Sequence, residues 1–204
     1  MTRLRVRILL VVLSGVGLAA AALPNAPAHA ARLARTHLRW PGPLLQRAGV
    51  QPGRETTDLD HLHPRFREPV LRIRDRLEAD GHRVRVSAVY RSPERQDFIY
   101  RASQLSERLG GSPGTRARGG QSCHNQEVGD APASAAIDLR GARGLGLDGQ
   151  AAFYKALGRA AAVEGLRWGG SWTRRNPVWA RYDLGWDPGH IEDARLCRRL
   201  RRQR

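Results

Sequence analysis

The stretch Trp186-Asp187-Pro188-Gly189-His190-Ile191-Glu192 constrains this chain more than any other. Pro188 and Gly189 force a turn that neither a helix nor a strand can run through, and Ile191 resumes extended chain beyond it. The turn sets the Asp187 carboxylate three residues ahead of the His190 imidazole. A second histidine stands upstream in Ser122-Cys123-His124-Asn125, followed by Asp138 in Ala135-Ala136-Ile137-Asp138-Leu139. Two histidines, an aspartate and a spare carboxylate are the complement of a catalytic zinc centre. Such a centre needs three protein ligands (here His124, Asp138 and His190), an open position, and a base such as Asp187. Asp187 before Pro188-Gly189 also fits a plain turn former.

The N-terminus reads as an address. Met1 to Arg7 is short and basic, Ile8 to Leu23 is apolar and rich in alanine, and Ala28-His29-Ala30 has the small-residue pattern of a cleavage site. The apolar run is shorter than the roughly 20 residues a membrane span requires. Residues 1–30 are therefore expected to be a signal peptide, with no stable membrane span after its removal and a periplasmic or extracellular destination. The full chain carries a net charge of +16, and loss of Arg3, Arg5 and Arg7 leaves the mature protein strongly basic. That charge calls for anionic partners. An exported protein rarely meets nucleic acid, so none is expected as a partner; a carboxylate-rich cell wall or an anionic membrane surface fits better. Lys155 is the only lysine, so part of the arginine excess reflects composition rather than function.

Cys123 and Cys197 are the only cysteines. In an exported chain a pair is most simply a disulfide, and this one would tie the segment of His124 to the segment after His190. Zinc ligation by Cys123 is the competing reading. Adjacent residues of an extended segment point to opposite faces, which argues against Cys123 and His124 sharing one metal.

Residues 31–57 form a lead-in with little periodicity, and a domain is expected over residues 58–193, followed by a basic, helical tail over 194–204. A helix is predicted from about Pro64 to Asp80, burying Phe66, Val70, Ile73 and Leu77 and stopped by Gly81. His61 and His63 are expected to be hydrogen-bonding residues at its start. Arg83 to Tyr90 alternates, predicting a half-buried strand with Val84, Val86, Ala88 and Tyr90 inward. Ser92 then caps a helix with Pro93 in its first turn; Phe98, Ala102, Leu105 and Leu109 face inward, and Gly110-Gly111 break it. After a Gly- and Arg-rich loop, Asp148 is expected to cap a further helix to about Glu164, with Phe153 and Leu157 buried and Gly165 ending it. Leu166 to Trp172 reads as strand and turn. Helices beside short strands without regular alternation give an α+β class: one compact domain, a small antiparallel sheet and flanking helices.

Four segments in this order resemble the zinc peptidases of the D-alanyl-D-alanine carboxypeptidase and L-alanyl-D-glutamate endopeptidase family, the VanY-like group. They are Ser87-Ala88-Val89-Tyr90-Arg91-Ser92-Pro93-Glu94-Arg95-Gln96, Ser122-Cys123-His124, Ala136-Ile137-Asp138-Leu139, and Trp168-Gly169-Gly170-Ser171-Trp172 with Asp187-Pro188-Gly189-His190. The resemblance implies a hedgehog/DD-peptidase-like fold, one Zn²⁺ held by His124, Asp138 and His190, and Asp187 as catalytic base. It also implies that Arg91 helps to hold the substrate carbonyl. Trp168 and Trp172 are as consistent with packing as with a substrate platform, and Glu192 with orienting His190 as with a surface position. The implied activity is hydrolysis of a bond in peptidoglycan stem peptides or crosslinks, by a monomer. One departure stands out. Asp138 follows His124 by fourteen residues, with Glu127 to Ala133 inserted and Ser134 where the family pattern S-x-H-x-x-G-x-A-x-D has glycine. Glu127 or Asp130 as the ligand in place of Asp138, or an altered or inactive cell-wall-binding module, is the alternative.

Overall fold

A computed structural model describes residues 41–108, 114–174 and 176–203. The expected signal peptide, the first part of the lead-in, Leu109 and the Gly110-Gly111 break lie outside the described residues. The elements are helix α1 (Gly42–Arg47), α2 (Pro64–Ala79), strand β1 (Arg85–Ala88), α3 (Pro93–Arg108), β2 (Glu127–Val128), β3 (Ala131–Pro132), β4 (Ala136–Arg140), α4 (Gly146–Val163), β5 (Arg167–Trp168), α5 (Pro177–Ala180), β6 (His190–Glu192) and α6 (Ala194–Arg202). This is the α+β domain expected. β1, β4, β6 and β5 form, in that spatial order, one antiparallel sheet; β2 and β3 pair only with each other.

The helix α2 forms where its apolar spacing says it should. Phe66, Val70, Ile73 and Leu77 recur on one face and are all buried, while the Arg and Glu between them lie on the outer face. His63 caps its start by accepting from the Arg65 N–H at Nδ1, and Gly81, at φ +82°, ends it in the left-handed conformation that only glycine adopts freely. Against α2 lies α4, whose Phe153 and Leu157 meet Ile137 and Leu139 of β4 and Ile191 of β6 in the centre of the core. α4 starts earlier than predicted. Its first residue is Gly146, so Asp148 lies inside the first turn, where its carboxylate accepts from the Tyr182 hydroxyl (2.6 Å) instead of capping the helix. Gly165 follows the helix end at φ +66°, as expected.

Two further expectations change. The alternation in β1 fails at its end: a register shift lies between Val86 and Ala88, and Ala88, Val89 and Tyr90 are all buried in succession. Past this bulge Val89 leaves the ladder, donating its N–H to the Thr56 carbonyl at 2.7 Å. On α3, Phe98 and Ala102 are buried but Leu105 is only half-buried; Gln96, Ser103 and Ser106 complete the inner face. They are polar because the following loop folds back onto them. The Ser103 Oγ accepts from the Gly114 and Thr115 N–H groups, and Gln96 donates to the Thr115 hydroxyl and the Ala117 carbonyl.

Candidate metal centre

Strand register places the first two ligands. β4 and β6 pair so that Asp138 lies directly opposite His190, and opposed residues of an antiparallel pair project to the same face. Ile137 and Leu139 turn to the core, leaving Asp138 on the other side of the strand. His124 arrives from a short 3-10 turn, Cys123–Asn125. There Ser122 and Asn125 cap each other's backbone, and the Ala135 N–H binds the Cys123 carbonyl at 3.0 Å. The turn replaces the extended geometry assumed for Cys123 and His124, yet the two side chains still diverge. Cys123 forms the expected disulfide with Cys197 of α6, with a Cα–Cα distance of 5.4 Å, and His124 enters the ligand group.

His124, Asp138 and His190 together form a group able to hold a metal ion. Each has one polar atom pinned by an outside partner and one atom left over. His124 donates from Nδ1 to the Val89 carbonyl (2.6 Å), leaving Nε2. His190 turns Nε2 to the Glu192 carboxylate (3.2 Å), leaving Nδ1. Asp138 accepts from Arg91 Nη2 at Oδ2, leaving Oδ1. The three remaining atoms converge at 3.2 Å (His124 Nε2 to Asp138 Oδ1), 3.3 Å (His124 Nε2 to His190 Nδ1) and 2.9 Å (His190 Nδ1 to Asp138 Oδ1). Tetrahedral ligands about 2.0–2.1 Å from a zinc ion lie roughly 3.3 Å from one another, so the donor set and its spacing fit that metal.

Burial and at least one neighbouring charge act in opposite directions on each of the three groups. Burial alone would push His190 down, but the bonds to Asp138 and Glu192 and the charges of Asp138 and Asp187 carry it up to about 10. Burial and the neighbouring Arg91 hold His124 below the usual imidazole range despite Asp138. Burial favours the neutral form of Asp138, yet His124, Arg91 and the hydrogen bonds from both histidines hold it well below the usual carboxylate range.

The fourteen-residue interval causes no distortion. Glu127 to Ala133 rise as the β2–β3 hairpin, closed at its base by the Ala133 N–H on the Gln126 carbonyl at 2.8 Å. Asp130 sits exposed at its tip and Glu127 accepts from the Tyr90 hydroxyl, so neither replaces Asp138. Ser134 is fully buried and its hydroxyl donates among the Val89, Cys123 and Ala136 carbonyls, a bonding role glycine would lack.

Asp187 lies beside the ligands in a cleft of about 350 Å³ that Asp138, Tyr154, Trp179 and Trp186 also line. Burial and the Asp138 charge push its carboxyl up to about 6, against the opposing pull of His190, Arg91 and Arg140. The larger cavity, about 630 Å³ between Gly81–Arg85 and Ala142–Arg143, contains none of these residues. Arg91 commits Nε to Glu55 (2.6 Å) and Nη2 to Asp138, while Arg95 holds the other Glu55 oxygen at 2.8 Å. Trp168 is partly buried against Gly158 and Gly170 and donates from Nε1 to the Pro188 carbonyl at 2.7 Å, so it braces the Asp187–His190 turn. Trp172 lies against the His190 ring, centroids 5.4 Å apart. Trp168 thus touches the turn that leads to His190, and Trp172 the His190 ring itself.

One contributor was not identified in the sequence, and of the two roles open to Glu192 the structure shows the one that orients His190. Glu55 pairs with arginines 36 and 40 residues away and belongs to no periodic pattern that would reveal it. Glu192 stands two residues after His190, but the bond between them depends on His190 presenting Nδ1 rather than Nε2 to the metal. His61 and His63 stay outside the site: His61 pairs with the Thr56 hydroxyl at 2.8 Å and His63 caps α2. Among the described residues no helix is long and apolar enough to cross a membrane. The disulfide is of the kind that oxidising compartments sustain. No family model matches the chain, and no curated protein matches it.

Proposed function

We propose that this chain is an exported zinc peptidase that hydrolyses a peptide bond in peptidoglycan stem peptides or crosslinks. The observation that carries the reading is the convergence of three otherwise unpinned ligand atoms beside a half-buried cleft carboxylate, Asp187, whose pKa burial and Asp138 push up to about 6. A metal site needs only the ligands; the carboxylate is what hydrolysis adds.

His124 Nε2, Asp138 Oδ1 and His190 Nδ1 would hold the ion. Zinc bound there would supply Lewis acidity, polarising the substrate carbonyl and acidifying water. Asp187 is ionised at neutral pH, so it takes the proton from the attacking water and returns it to the departing amine as the C–N bond breaks. The products are a carboxylate and a free amine. Arg91 keeps Asp138 oriented, and its Nη1, outside both ion pairs, meets the carbonyl oxygen as negative charge develops there. The strong positive charge of the chain concentrates it on a wall matrix rich in stem-peptide carboxylates, an attraction that added salt weakens.

The test is mass spectrometry of muropeptides incubated with the zinc-loaded protein, with and without a chelator. A chelator-sensitive cleavage product is expected, and its mass names the bond. Bound zinc with no product from any muropeptide overturns the peptidase reading in favour of a wall-binding module.

A further inference from the structure

We propose that Arg140 is the anchor for a free carboxylate on the departing residue of the substrate, which makes this site select chain ends over interior bonds. The inference rests on the peptidase reading and deepens it.

Arg140 follows Asp138 by two residues on β4, so both side chains rise from the same face of the strand, with Cα atoms roughly 6.7 Å apart. Asp138 is a ligand, and Arg140 is thus the next group along the floor from the reacting centre. It lines the same cleft as Asp187, and its charge acts on the Asp187 carboxyl and on the Tyr154 hydroxyl. Among the described residues that line this cleft, Arg140 is the only cation.

Its lack of a carboxylate partner, which Arg85 shares, separates it from Arg91, Arg95 and Arg167. Arg91 and Arg95 are held by Glu55 and Asp138, and Arg167 by Glu192 at 3.1 Å. Arg140 forms no ion pair with a described residue and is exposed at the cleft. Arg85, directly across β1 from it, turns its Nε to the Gly141 carbonyl at 3.0 Å and supplies a second positive charge without neutralising the first. An unpaired guanidinium beside a cleft walled by Tyr154, Trp179 and Trp186 is a carboxylate receptor awaiting its ligand.

Direction follows from the chemistry. Asp187 protonates the departing amine, so the departing residue lies on the Asp187 side, where Arg140 also stands. In an α-amino acid the amine nitrogen and carboxyl carbon are only about 2.5 Å apart, so a cation that holds the carboxylate must line the cleft of the base itself. Arg140 meets that condition. A cleft of about 350 Å³ also sits at the small end of the range for ligand pockets, suited to one or two residues rather than a continuing strand.

The test uses the full metal-free chain and N-acetyl-alanyl-alanine, in its L and D configurations, each as free acid and C-terminal amide. Binding is read from the change in intrinsic tryptophan fluorescence, to which Trp179 and Trp186 contribute from the cleft, and confirmed by calorimetry. The wild type is expected to bind the acid at least about tenfold more tightly than the amide in one configuration. Arg140→Gln should bind acid and amide alike, and Arg140→Lys should keep part of the preference. Equal affinity of the wild type for acid and amide, or an undiminished preference in Arg140→Gln, overturns the inference. Hydrolysis by the zinc-loaded protein is measured in parallel. An intact acid preference with no turnover of any peptide or muropeptide counts against the peptidase reading and leaves carboxylate recognition by Arg140 standing.

Discussion

Each ligand of the candidate centre has a partner that selects which of its atoms faces the metal, and those partners are as testable as the ligands. Glu192 accepts from His190 Nε2 while Arg167 steadies it from outside. Glu192→Gln keeps the shape but removes the charge. It should lower zinc affinity by about 10- to 100-fold, measured by competition with a chromophoric chelator, while the melting temperature of the metal-free protein changes little. Asp187 makes the opposite prediction, because it acts on the reaction and not on the ion. Asp187→Asn should keep one bound zinc per chain by elemental analysis and lose at least about 100-fold in turnover. In the wild type, burial and Asp138 raise the Asp187 pKa to about 6, so the fraction ionised, and hence able to take a proton, rises with pH through that value. Turnover should therefore fall as pH drops below about 6, and a bound cation would move this limb to lower pH, never higher. A pH profile of kcat/KM that stays flat from 7 to 4 would remove Asp187 from the role of base.

Among the elements, those with a period were legible in the sequence and those defined by a partner were not. The buried face of α2 is read directly from Phe66, Val70, Ile73 and Leu77, because four positions at helical spacing leave one solution. The Asp187–His190 turn is equally readable, since Pro188 and Gly189 admit little else. β1 misleads at its last residues, where the bulge that frees the Val89 carbonyl for His124 has no side-chain signature. Nor does sequence show that the turn at Gly169–Ser171 lies against the Asp187–His190 turn so closely that only glycine fits. A Cβ at Gly169 would collide with the Asp187 carbonyl, which is backbone and cannot swing aside. Gly169→Ala should cost about 1–3 kcal/mol in urea unfolding and weaken zinc binding with it, because the displaced turn carries His190.

For the whole molecule, the disulfide fastens together parts that the sheet leaves apart. Cys123 and Cys197 are 74 residues apart, and the bond joins the turn bearing His124 to the helix that follows the strand of His190. Closing a loop of that length is worth about 4 kcal/mol by the chain-entropy relation, so reduction should lower the unfolding free energy by up to that amount. A urea titration with and without reductant measures it. Acid should act through Glu55. Burial favours its neutral form, but Arg91 and Arg95 outweigh that and hold its folded pKa below the unfolded value. Its contribution is thus fully present above the ordinary glutamate range and lost as pH falls through the lowered folded value. The loss would reach Asp138 through Arg91, which Glu55 shares with it.

The β2–β3 hairpin has one more consequence. Its seven residues enter and leave the domain at a single hydrogen-bonded pair, so the distance between His124 and Asp138 in space is independent of the length of chain between them. Residues 128–132 can therefore be shortened or replaced with His124 and Asp138 left in place, whereas Glu127 is tied to the domain by the Tyr90 hydroxyl.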